Sequence, residues 1–140
     1  MKINYRVNNI IDIKIGLAGG LVMGVIVFVI NYNSTGDLAG STTAALKQGI
    51  YTFFFGGFIM KLCESLATRI NPRIVAVTMA VIIPSFISLA LTFGVHSMKG
   101  TPRPVESTIP TAIFVIPSTL VWGLMRRNKK ERNSGEQENK

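Results

Sequence analysis

Hydrophobic and polar positions fall in long blocks along this chain. Predominantly apolar runs cover about 15–31, 44–62, 74–95 and 109–125, with polar or charged stretches between them. About 20 apolar residues carry a helix across the hydrocarbon core of a bilayer, and every run is near that length. The pattern predicts an all-α membrane protein with four transmembrane helices. The domain layout is a flank at 1–14, a four-helix domain at 15–125 and a tail at 126–140.

The segments between the runs have distinct characters. In the flank, Ile3, Val7 and Ile10 recur at the spacing of one helix face among Lys2, Arg6 and Lys14. This suits either a short interfacial helix or an unstructured basic leader. A basic start and an apolar run also describe a signal peptide. The long basic region and the lack of a small-x-small site after the run argue against cleavage. The stretch 32–43 reads as a polar loop, and Asn71-Pro72 as a turn. Pro84 and Pro117 interrupt the third and fourth runs, which neighbouring helices tolerate in a membrane. Thr108 and Pro110 suit the first turn of the fourth. The tail is charged, lacks aromatics and is expected to be disordered.

Composition agrees with this layout. Charged residues make up 16% of the 140, against about a quarter in a soluble domain, while 48% are hydrophobic. The net charge of +8 flanks apolar runs as juxtamembrane charge does, so no nucleic acid is expected as a partner. With the N-terminus inside, Lys2, Arg6, Lys14, Lys61, Arg69, Arg73, Arg126, Arg127, Lys129, Lys130, Arg132 and Lys140 are inner, and only Lys47, Lys99 and Arg103 are outer. Cytoplasmic loops carry the excess of Lys and Arg. The expectation is N-in/C-in, in a bacterial-type cytoplasmic membrane.

Helix faces suggest how the spans associate. Gly16, Gly20 and Gly24 form two overlapping GxxxG motifs, a surface that lets another backbone approach closely. The expected contact is with the second span, whose Ala45, Gln48, Gly49, Thr52, Gly56 and Cys63 share a side. Tyr51, Phe54 and Phe58 make a second, lipid-facing row. Lys47 opens that row and is read as snorkelling to the outer interface, with a gate or counter-ion as the alternative. Gln48, Thr52, Ser85, Ser88, Thr92 and Ser118, with Lys47 at the mouth, are candidates for a polar crevice. The same hydroxyls would serve equally as hydrogen bonds between helices. Trp122, one turn from Arg126, fits an interfacial anchor. In the outer loop 96–108, Lys99 and Arg103 beside stiffening prolines are candidates for binding anionic lipid or an envelope polymer.

No catalytic motif is present. His96 is the single histidine and Cys63 the single cysteine, so no clustered metal site, cofactor or enzymatic activity is expected. Size and span number resemble the small multidrug-resistance exporters, which act as dimers of four-helix subunits. That family relies on a membrane-embedded glutamate in its first helix, and this first span has no acidic residue, so the activity does not carry over. The expected role is that of a small accessory, packing or regulatory subunit, partnered by the bilayer and by copies of itself or another membrane protein. The alternatives are an oligomeric transporter or channel, and a binder of anionic lipid or polymer.

Overall fold

The computed structural model describes residues 10–98, 100 and 104–138. The proposed interfacial helix at the extreme N-terminus, together with Lys99 and Arg103, lies largely or wholly outside them. The described residues are helical with no strand. Four helical stretches, Ile13–Thr35, Leu38–Arg69, Arg73–Met98 and Thr108–Gln137, are long and apolar enough to cross a membrane. The chain divides into two compact units, Met1–Lys61 and Leu62–Lys140.

The first unit is a helical hairpin. Asp12 opens α1 (Ile13–Thr35) by accepting the backbone N–H of Ile15 at 3.2 Å, which satisfies an N-terminal donor. Gly36 closes it with φ 68°, its N–H donating to the Tyr32 carbonyl. This left-handed cap suits glycine because it has no Cβ to clash. Helix α2 (Leu38–Tyr51) starts two residues later. The expected loop at 32–43 is therefore only Gly36 and Asp37. The hydroxyls of Ser34, Thr35, Thr42 and Thr43 each donate to the carbonyl four residues back. These polar residues thus satisfy themselves on the helix.

Helix α2 runs into a five-residue π-helical turn, Thr52–Gly56, and then into α3 (Gly57–Arg69). A π turn takes up one residue more than an α turn, so side chains after it are out of phase with those before. This corrects the single face expected from Ala45 to Cys63. Ala45, Gly49 and Thr52 lie against the α1 glycines, but Gly56 meets only the Thr52 side chain of its own helix. Gly57 takes over, packed against Ile11 and Asp12, and the Asp12 N–H donates to its carbonyl at 3.0 Å.

The second unit joins the end of α3 to α4 (Arg73–Met98) and α5 (Pro104–Glu138). Its core is made of small side chains. Cys63, Ala67 and Ala80 are fully buried, with Leu66 and Trp122 packed on them. A Cβ at Gly123 would stand 3.4 Å from that of Ala80 and 3.6 Å from the Cys63 sulfur. Pro84 is buried within α4. Helix α5 continues far beyond the apolar run, through residues expected to be a disordered tail. The correction has a physical cause: Arg127 and Glu131 pair one turn apart, and both are held from outside the helix.

Candidate functional site

The densest polar arrangement lies where α3 ends and α5 leaves its apolar run. A helix end leaves four carbonyls without internal partners. Arg127, only 6% exposed, reaches the end of α3 with Nη1, donating to the carbonyl of Ala67 at 3.3 Å and to that of Ile70, just past the helix, at 2.6 Å. Its Nη2 donates to Asn71 Oδ1 at 3.0 Å, and its Nε to Glu131 Oε1 at 2.7 Å. The planar guanidinium fork is suited to several acceptors at once. Cationic charge here also meets the negative end of the α3 dipole.

Glu131 bridges two arginines. Arg73 Nη1 donates to its Oε2 at 2.8 Å, and Arg73 Nη2 to Asn128 Oδ1 at 2.8 Å. The Arg127 hydrogen bond, reinforced by the positive charges of Arg73 and Arg127, holds the Glu131 carboxyl below its ordinary range against an opposing desolvation. Arg126 lies with its guanidinium carbon 4.2 Å from the Trp122 ring centre and its Nη2 3.6 Å from Glu64. Trp122, expected as an interfacial anchor, packs on the Cys63–Ala67–Ala80 core. The Arg73–Glu131 pair is hidden from the sequence because its members are 58 positions apart, whereas the one-turn spacing of Trp122 and Arg126 is legible there.

The glycine candidates occupy a tight seam inside the first unit. A Cβ would stand 2.5 Å from the Phe53 carbonyl oxygen at Gly16, 2.7 Å from that of Gly49 at Gly20, and 3.3 Å from that of Ala45 at Gly24. The polar-crevice candidates are divided. In the first unit the Gln48 side-chain amide donates to the Thr52 hydroxyl at 3.2 Å, while Lys47 is exposed. In the second unit Ser85 is buried and its hydroxyl meets that of Thr119 at 3.2 Å. The Thr92 hydroxyl bonds to the Ser88 carbonyl, and Ser118 points away from the core, exposed. The partner of Ser85 is thus Thr119, which also accepts from the Cys63 thiol through its carbonyl at 3.2 Å. Nearer the α4–α5 connection, Phe86, Leu89, Phe93, Ile109 and Ala112 border an apolar cleft of about 420 Å³.

Among the described residues no three His, Cys, Asp or Glu side chains come together as a metal site would require. Comparison with family models, curated proteins and solved structures gives no match.

Proposed function

We propose that this chain is a multi-pass protein of a bacterial-type cytoplasmic membrane, with both termini cytoplasmic, that acts as a non-catalytic packing or accessory subunit. The observation that carries the reading is the Ser85–Thr119 contact. The buried hydroxyls most suited to line a path through α4 and α5 close on each other, as they do in membrane helix packing. The cleft nearer the α4–α5 connection is lined mainly by apolar side chains. Outward, the helices present Leu17, Leu21, Phe86 and Phe114, all more than half exposed, which is ordinary for surfaces that meet lipid or another apolar helix. Ser118, an exposed hydroxyl among apolar neighbours, favours a contact with a second polypeptide, since a polar group in lipid gains from a cross-helix partner.

The test is purification of the tagged protein in a gentle detergent. A homo-oligomer or a stoichiometric membrane partner is expected. A lone monomer that moves solute across proteoliposomes, and loses that activity with Lys47→Ala, would replace this reading with the transporter.

A further inference from the structure

The ordered exit of α5 carries a cationic surface that its own ion pairs leave unused. Arg127 and Glu131 turn toward α3 and α4. At 100° per residue, Lys129 and Arg132 fall on the opposite side of the helix. Both are exposed, Lys130 is partly so, and the exposed Arg69 lies in the same unit. A free tail would let these charges roam. Here Arg127 anchors the helix as it leaves the apolar run at Met125. With a rise of about 1.5 Å per residue, Lys129 and Lys130 stand about 6–8 Å beyond Met125 and Arg132 about 10 Å. The headgroup layer on each side of a bilayer is about 5–8 Å deep. The two lysine backbones thus stand at headgroup depth and that of the arginine just beyond it.

We infer that Lys129, Lys130 and Arg132 form a binding surface for the phosphates of anionic phospholipids in the leaflet that surrounds α5. The inference rests on reading 109–125 as a membrane span. It does not depend on the subunit role. Charge and depth point to the occupant: two lysines stand at the depth of the phosphates and Arg132 lies within a side chain's reach of them, and among the described residues none of the three is in an ion pair, with Glu136 one turn further out. A juxtamembrane cation near an anionic surface contributes about fivefold in affinity. Arg127 and Arg73 are engaged by Glu131, while Lys129 and Arg132 face away from them and Lys130 lies on the flank between Lys129 and Arg127.

Native mass spectrometry of the full chain, released from bilayers of phosphatidylcholine mixed with phosphatidylglycerol, tests this. Retained phosphatidylglycerol is expected to exceed its share of the mixture. The triple variant Lys129→Gln, Lys130→Gln, Arg132→Gln should lose at least about fivefold of that preference, while Lys99→Gln with Arg103→Gln keeps it. Circular dichroism should show unchanged helicity in both. Equal retention of the two lipids by the wild type, or an unaltered preference in the triple variant, would overturn the inference. So would displacement of the lipid by soluble glycerol phosphate, which would mean the surface reads a free phosphate ester. A wild-type monomer that still prefers phosphatidylglycerol would defeat the subunit reading and leave this one standing.

Discussion

Gly20 and Gly49 pass each other backbone to backbone. A Cβ on Gly20 would stand 2.7 Å from the Gly49 carbonyl oxygen, and one on Gly49 would stand 3.1 Å from that of Gly20. No side chain at either position fits without moving a main chain. The closeness matters because lipid supplies little hydrophobic drive between helices, leaving close van der Waals contact as the main attraction.

Gly20→Ala should therefore destabilise the first unit by about 1–3 kcal/mol, the range for overpacking. Gly24→Ala, whose Cβ would be 3.3 Å from a carbonyl oxygen, should cost less. Gly94→Ala meets nothing within 4 Å and should gain about 0.5–1 kcal/mol from helix propensity. Unfolding in mixed micelles with added denaturing detergent orders the three.

Arg127→Ala strips the carbonyls at the end of α3 of a buried donor and removes one of the two partners of the more exposed Glu131. A loss of about 1–3 kcal/mol is expected, the cost of leaving buried acceptors without their donor. Arg127→Lys should recover little of it, because an ammonium cannot reach four acceptors with a planar fork. Lys129→Ala, on the exposed side, should stay within about 0.5 kcal/mol. The readout is thermal unfolding in detergent, with proteolysis of 126–138 as a local probe.

Acid should loosen the α5 extension. Glu131 has a folded-state pKa below its unfolded value, so it binds fewer protons folded than unfolded. Its stabilising effect is complete above the ordinary carboxylate range and disappears as pH falls through the lowered folded value. Protease protection of 126–138 is expected to hold at neutral pH and to fall on acidification below that range. In Glu131→Gln, this portion of the pH dependence should vanish.

The Ser85–Thr119 contact calls for a double-mutant cycle. Ser85→Ala and Thr119→Ala should couple by about 0.6 kcal/mol, the average for hydrogen bonds between membrane helices. Ser118→Ala should show no coupling to Ser85→Ala. Coupling through Ser118 would mean that α5 is rotated by one position from the arrangement described.

The four long apolar helices are legible in the sequence because they depend on local repetition, apolar runs long enough to span. Helix ends were less visible. Ser34, Thr35, Thr42 and Thr43 look like loop residues by composition, yet their hydroxyls bond back to their own helices. The tail was misjudged for a related reason. Charge and the absence of aromatics suggest disorder, but Glu131 finds Arg73 across 58 positions, a partner that no local window contains. Next to the candidates Gly56 and Ser118, it is Gly57 that packs on Ile11 and Thr119 that meets Ser85. One residue is a rotation of about 100° on a helix. At Gly56 the π turn supplies the shift.

Orientation in the bilayer carries the rest of the account, and labelling with a membrane-impermeant maleimide tests it most directly. The native Cys63 is buried and gives a quiet background. In intact cells Leu38→Cys, an exposed position at the α1–α2 turn, should react from outside, while Arg69→Cys should react only after the membrane is opened. Labelling of position 69 from the exterior of sealed cells would contradict the assignment of sides.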